Sequence, residues 1–203
     1  MIRILLIRHG NTALLGRVLY GRMPDIHLDS RGLDQAEWLA RELRTRYKLD
    51  GVWSSPLERA LETARPIAGA QNLSVSIHEG LNELDFGAWM GQPFSELAAS
   101  DQWIRYNETR TLHSPPGGES MMNVQARSWN SLREISLQYS GSKEATVAVI
   151  THGDVIRALL ILLLGVSLDH IDRLEVAPAS VSEVLLFDGE PRVRTMNQTY
   201  GPQ

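Results

Sequence analysis

Short runs of apolar residues, each closing on a small polar block, alternate along this chain with segments in which apolar residues recur every three or four positions. Ile4-Leu5-Leu6-Ile7 leads into Arg8-His9-Gly10, and Val147-Ala148-Val149-Ile150 leads into Thr151-His152-Gly153. Such a run ending at a glycine reads as a strand buried on both faces that gives way to a loop and helix. After a turn-rich stretch at 20–25, Leu33, Ala36, Leu39, Ala40 and Leu43 predict an amphipathic helix. Asp50-Gly51-Val52-Trp53 predicts the next strand. Ser54-Ser55-Pro56 behind it offers hydroxyl caps and a first-turn proline for a helix whose opening turns carry Arg59. A third strand is expected at 73–77. Between 79 and 118 the pattern breaks up, punctuated by Gly87, Gly91, Pro93, Pro115, Pro116, Gly117 and Gly118. Beyond it, 119–139 predicts a helix with Val124, Trp129, Leu132 and Ile135 on its core face. The strand at Val147, a helix at 155–164 and strands at 181–187 and 193–196 complete the chain.

This alternation predicts an α/β three-layer sandwich, with helices on both faces of a mostly parallel sheet and the last hairpin as an antiparallel edge. The 203 residues suit one domain, 1–203, with an irregular, cap-like insertion at about 92–118. A formal net charge of −4 argues against nucleic acid as a partner, because polyanion binders carry a basic excess. The absence of cysteine removes disulfide and thiolate chemistry and fits a reducing compartment. The N-terminal apolar run, interrupted by Arg3 and Arg8, is too short for a secretory leader. The nine largely apolar residues of 158–166 fall far below the roughly 20 that span a bilayer. A soluble, cytoplasmic protein with no membrane partner is expected, and a homodimer is compatible with the sequence.

In open α/β sheets ligands bind at the carboxyl ends of strands, so two strand ends that each carry a histidine suggest one shared site. Neutral imidazole offers a lone pair near pH 7, which makes His9 a candidate nucleophile toward phosphorus if an acceptor holds its other nitrogen. Guanidinium forks match the oxygens of a transferring phosphoryl group, and Arg8 and Arg59 are the arginines in position. His152 would add a further donor. Read alone, His9 is a hydrogen-bonded strand-end histidine and Arg59 a helix residue paired with Glu58 or Glu62. It is their joint occurrence that points to phosphoryl chemistry. His9 and His152 as ligands of a metal-dependent hydrolase would need further ligands, and no HExxH or paired HxD pattern supplies them.

Five blocks in order carry a resemblance. Arg8-His9-Gly10-Asn11-Thr12 comes first, then Ser54-Ser55-Pro56-Leu57 with Arg59, Ala60, Thr63 and Ala64. Leu81, Glu83, Phe86-Gly87, Trp89 and Gly91 follow, then Gly117-Gly118-Glu119-Ser120 and Thr151-His152-Gly153. Together they closely resemble the histidine phosphatase superfamily, over nearly the whole chain. Within its phosphoglycerate mutase-like branch the sequence is most similar to small bacterial proteins described as phosphomutases or broad-specificity phosphatases. The resemblance implies that His9 is phosphorylated, that Arg8, Arg59 and His152 form the phosphate pocket, and that Glu83 is the proton donor. An alkoxide leaves poorly without a proton, and burial beside Leu81, Leu84 and Phe86 would keep Glu83 protonated, with Asp85 as the competing acid. Asn11, Thr12, Tyr20, Gly21, Arg22 and Gly153 are the expected substrate contacts. Arg22 is equally read as a solvated loop residue and Tyr20 as a packing aromatic. His27, His78, His113 and His170 match no block, and of these His113 alone is a candidate substrate contact. Trp103, Arg105, Tyr106 and Arg110, in the insertion, could read the leaving group or simply pack.

The resemblance implies a phosphoric monoester hydrolase acting on a small phosphorylated metabolite without metal or cofactor. The rival is a phosphoglycerate mutase-like phosphomutase, for which Asn11-Thr12-Ala13 and the scattered arginines of 92–118 are the wrong pattern. A catalytically inactive module that binds phosphorylated ligands is the alternative of another class.

Overall fold

The computed structural model describes residues 1–187 and 191–201. A six-stranded sheet runs through its centre, built from β1 (Ile2–Arg8), β2 (Gly51–Ser54), β3 (Val75–Ile77), β4 (Ala145–Thr151), β5 (Val181–Leu186) and β6 (Arg192–Gln198). Their order across the sheet is β3-β2-β4-β1-β5-β6. The pairs β3/β2, β2/β4 and β4/β1 are parallel, and the two pairs that add β5 and β6 are antiparallel, as the last hairpin predicts.

Alternation along the central strands builds two layers of core, because successive side chains leave a strand on opposite faces. Ile4, Leu6, Val147 and Val149 face α5 (Met121–Leu137) and α6 (Gly153–Leu164), meeting Val124, Leu132, Val155 and Leu159. Leu5, Ile7, Ala148 and Ile150 face α1 (Ser30–Arg46) and α2 (Glu58–Ala70), meeting Leu39, Leu43, Ala60 and Ile67. Every residue of β4 is buried, which is why its centre, Val147 to Ile150, is apolar throughout rather than alternating. Gly165, with φ of 66°, closes α6 in the left-handed conformation.

Local chemistry departs from the sequence reading in three places. Leu33, read as a core position, is 51% exposed. The buried stripe of α1 runs instead through Gly32, Gln35, Ala36, Leu39 and Leu43. A glycine is required there, since a Cβ at Gly32 would lie 2.1 Å from the carbonyl oxygen of Asn11. Gly32→Ala is therefore expected to cost about 1–3 kcal/mol by overpacking, read as a fall in the urea midpoint. An unchanged midpoint would mean that the loop yields freely. Second, α2 starts at Glu58, with Leu57 as a cap residue that makes no side-chain hydrogen bond, so Pro56 lies outside the helix and the two serines serve other partners. Third, the strand expected from residue 73 is shorter, Val75–Ile77, because it lies on the sheet edge with Ile77 exposed.

Two short helices, α3 (Phe94–Leu97) and α4 (Asp101–Glu108), occupy the 92–118 stretch. Trp103 stacks edge-on against Trp89, 5.2 Å between ring centroids, and Tyr106 is fully buried against the same indole at 5.3 Å. Arg110 is buried and donates to Asn107 and Asp172. Arg105 and His113 line a separate surface depression with Gln102 and Pro116. These side chains pack this segment onto the domain or face solvent, and His113 is not a neighbour of the histidine pair.

Candidate active site

Three strands deliver their ends to one place. Arg8 is level with Thr151 and Ser54 with Ile150, so His9, His152 and Ser55 emerge side by side from β1, β4 and β2. Backbone bonds secure the exits: the His9 N–H donates to the Thr151 carbonyl at 3.0 Å and the Ser55 N–H to Ile150 at 2.9 Å. The two imidazoles meet edge to face with centroids 5.3 Å apart.

His9 is buried, and its Nδ1 lies 2.7 Å from the carbonyl oxygen of Gly10. A carbonyl only accepts, so Nδ1 carries the proton and Nε2 keeps a lone pair. Burial, then the charges of Arg59 and Arg8, hold the His9 pKa well below the usual histidine value, so the ring is neutral across the physiological range. The ring's position is secured from below. Thr63 Oγ1 accepts from the Gly10 N–H at 3.0 Å and donates to the Arg59 carbonyl at 2.8 Å, tying the nucleophile's loop to α2.

Arg59 has no exposed surface. One of its terminal nitrogens donates to the Gly21 carbonyl at 2.6 Å and lies 3.3 Å from His152 Nδ1, while its guanidinium sits 4.9 Å from the centre of the Tyr20 ring. Its Nε and other terminal nitrogen are buried without a hydrogen-bond partner, and so is Nε of Arg8. Orphaned buried N–H groups cost roughly 1–3 kcal/mol each, more when charged. Three such nitrogens beside one histidine form a cradle shaped for an anion. Arg8 donates to the Val176 carbonyl at 2.6 Å and lies against Gly153, where a Cβ would sit 3.4 Å from its Nε.

His152 is fully buried and begins α6. Its Nδ1 accepts from Arg59, so Nε2, 2.7 Å from Ser55 Oγ, is the protonated nitrogen, and burial and Arg59 hold this ring neutral too. Ser55 in turn reaches Asn82 Oδ1 at 3.3 Å.

Above His9 opens a cleft of about 250 Å³ lined by Arg8, Tyr20, Gly21, Glu83, Gly153 and Asp154, with Leu15, Leu19, Phe86 and Phe94 forming apolar walls. Glu83 accepts from the Leu84 N–H at 2.9 Å. Burial, followed by the negative charge of Asp154, pushes its pKa up to about 7, against the opposing pull of the Leu84 N–H, Arg59 and Arg8. Asp154 is itself bonded to Arg157, 3.1 Å away, one turn along α6.

Of the expected substrate contacts, Tyr20, Gly21 and Gly153 line the cleft. Asn11 instead donates to Asp29, the N-cap of α1, and Thr12 to the Tyr20 hydroxyl. Arg22 does not line the cleft: its side chain, 32% exposed, donates from Nε to the Glu83 carbonyl and from a terminal nitrogen to Glu119. Ser55, Asp154 and Arg157 escape the sequence reading. The last two sit at i and i+3 on the helix that follows a histidine-bearing strand end, a spacing that places both beside the cleft. Among the described residues no group of three or more histidine, aspartate or glutamate side chains converges as a metal ion requires. No helix among them is long and apolar enough to cross a membrane.

The family model described as histidine phosphatase superfamily, branch 1, matches residues 4–199. The chain belongs to the histidine phosphatase superfamily. A bifunctional protein of Mycobacterium tuberculosis is 37% identical over 203 residues, 97% of this chain and 54% of its own length. The chain thus spans about half the length of that relative. Phosphoserine phosphatase 1 of Hydrogenobacter thermophilus is 34% identical over 83% of this chain and 79% of its own. Among solved structures, a mycobacterial glucosyl-3-phosphoglycerate phosphatase superposes with a TM-score of 0.87 at 26% identity, covering 97% of this chain and 99% of that one.

Proposed function

We propose that this histidine phosphatase hydrolyses small-molecule phosphomonoesters through a phosphohistidine on His9, without metal. One observation carries the reading: an imidazole with one nitrogen tied to a carbonyl faces guanidinium N–H groups that have no partner. His9 Nε2 attacks phosphorus, the ester P–O bond breaks, and the leaving oxygen takes the proton of Glu83. Water then attacks phosphorus and gives a proton to the Glu83 carboxylate while the P–N bond breaks and its electron pair returns to His9 Nε2, which restores both groups. Arg8 and Arg59 hold the equatorial oxygens in both steps, a purely electrostatic contribution, while His152, tied between Arg59 and Ser55, fixes the Arg59 guanidinium beside them.

Hydrolysis fits the cleft better than mutase chemistry. A mutase holds a bisphosphate, whose second phosphate needs its own free cations. Here Arg157 is committed to Asp154 and the Leu174 carbonyl, Arg22 to Glu83 and Glu119, and Arg110 to Asp172. Apolar walls instead suit a leaving group with little charge of its own. Segment 92–118 acts in this reading as a cap that meets the cleft through Phe94.

The test is inorganic phosphate release from a panel of phosphomonoesters, including 3-phosphoglycerate with and without its bisphosphate, in chelator. Release is expected for monoesters and to survive chelator. Appearance of 2-phosphoglycerate without phosphate release would mean a mutase, and no turnover with retained binding would mean a binding module.

Glu83→Gln is expected to slow hydrolysis of alkyl phosphates by about 10²–10⁴-fold while sparing p-nitrophenyl phosphate, whose leaving group needs little protonation. The acid form is the donor and its pKa is about 7. Enzyme phosphorylation by an alkyl phosphate should therefore level off below that pH and fall about tenfold per unit above it. The variant should lack this limb, and equal losses on both substrates would argue against the acid role.

A further inference from the structure

Glu83 sits in residues 82–86, a stretch without regular structure between the single turns Glu79–Leu81 and Gly87–Trp89. A general acid must be held to within a fraction of an ångström, and a loop alone does not do that. Two guanidiniums from distant parts of the chain converge on the Glu83 carbonyl oxygen. Arg22 Nε donates to it at 2.7 Å from the loop after β1, and an Arg127 terminal nitrogen at 3.1 Å from α5. Glu119 stands between the two cations. Its Oε2 accepts from Arg22 at 2.8 Å and from Arg127 at 3.0 Å, and its Oε1 accepts from Arg127 Nε at 2.7 Å.

The same block fixes both flanks of the acid. Arg127 donates to the Gly80 carbonyl at 2.9 Å, and the Glu119 N–H donates to the Asp85 carbonyl at 2.8 Å. Gly118 permits that approach, since a Cβ there would lie 2.4 Å from the Asp85 oxygen. The Glu119 side chain is only 16% exposed, so its ion pairs are shielded and the network stands or falls as a unit. Without the Glu119 charge, two cations would face each other across a single carbonyl and repel.

We propose that Arg22, Glu119 and Arg127 are positioning residues for the acid step, acting on the main chain of Glu83 and not on substrate. The proposal rests on Glu83 being the proton donor. Arg22 and Arg127 approach the carbonyl and not the carboxyl, so the clamp governs where the acid stands.

The experiment is a double-mutant cycle of Glu119→Gln and Glu83→Gln, measured with an alkyl phosphate and with p-nitrophenyl phosphate. Glu119→Gln keeps the shape of the side chain and removes its charge. It is expected to lower kcat for the alkyl ester by about 10–100-fold, the scale of an ångström's misplacement, with less than about threefold loss on the nitrophenyl ester and little change in KM. Added to Glu83→Gln it should cost nothing further on the alkyl ester, because the group it positions is already gone. Arg127→Lys, which keeps charge but loses the fork, should show the same selectivity. Equal losses on both esters, additivity in the cycle, or no loss at all would each overturn the proposal. If Glu83→Gln alone lacks leaving-group selectivity, the acid assignment itself fails, and the two failures are told apart by that single variant.

Discussion

Replacing His9 with alanine is expected to lower phosphate release by about 10⁴-fold or more and to abolish the acid-labile phosphoenzyme. The size of the effect follows from where the bond forms. The ring is neutral, its Nδ1 proton is spent on the Gly10 carbonyl, and the loop behind it is tied through Thr63 to α2, so Nε2 is aimed before substrate arrives. Removing it leaves the arginine cradle intact, and phosphate esters should still bind. Water held in the cleft cannot replace the imidazole, because a phosphoryl group passed directly to water would need a base placed where His9 now stands. The check is rapid mixing with an ester labelled in its phosphoryl group, quenched in denaturing alkali, where a phosphohistidine survives. Label retained by the alanine variant, or turnover within tenfold of the parent, would move the nucleophile elsewhere.

Arg59→Lys is expected to lose about 10²–10³-fold in kcat although charge is kept, the range for removing a preorganised donor at a developing negative charge. Arg59 presents two unpartnered nitrogens to the cradle while its third is occupied by Gly21 and His152. A lysine ammonium has no planar fork and cannot hold a backbone carbonyl and two phosphoryl oxygens at once. The loss should appear for alkyl and nitrophenyl esters alike, because charge builds on phosphorus oxygens whatever the leaving group. That equality separates it from Glu83→Gln. A silent Arg59→Lys would place Arg59 outside the pocket. Its complete burial also makes a stability measurement necessary, and unfolding in urea should shift without loss of cooperativity.

The sheet and most helices were legible because β1 and β4 each centre on four consecutive apolar residues and the helices carry clear stripes. Helix starts were less so. Gly32, not Leu33, faces the core, since the position must admit the Asn11 carbonyl, and no scale of hydrophobicity rewards the absence of a side chain. Ser54 and Ser55 look like caps, but Ser54 donates to the Ser55 carbonyl and Ser55 joins His152 to Asn82. The proximity of His9, His152, Arg8 and Arg59 was readable from strand ends and motif order. The burial that raises Glu83, the Asp154 beside it and the Arg22–Glu119–Arg127 clamp were not, because they join residues without regular spacing. The arginines of 92–118 show the same limit: charge in a loop says nothing about direction, and Arg110 turns inward to Asp172.

The strand order has a consequence for biosynthesis. Both neighbours of β1, the strand that ends at His9, are β4 and β5, which begin at Ala145 and Val181. During translation at roughly 5–20 residues per second, Ile4-Leu5-Leu6-Ile7 waits on the order of ten seconds with two open edges and no sheet to join. The histidine pair comes into existence only once β4 has taken its place between β1 and β2.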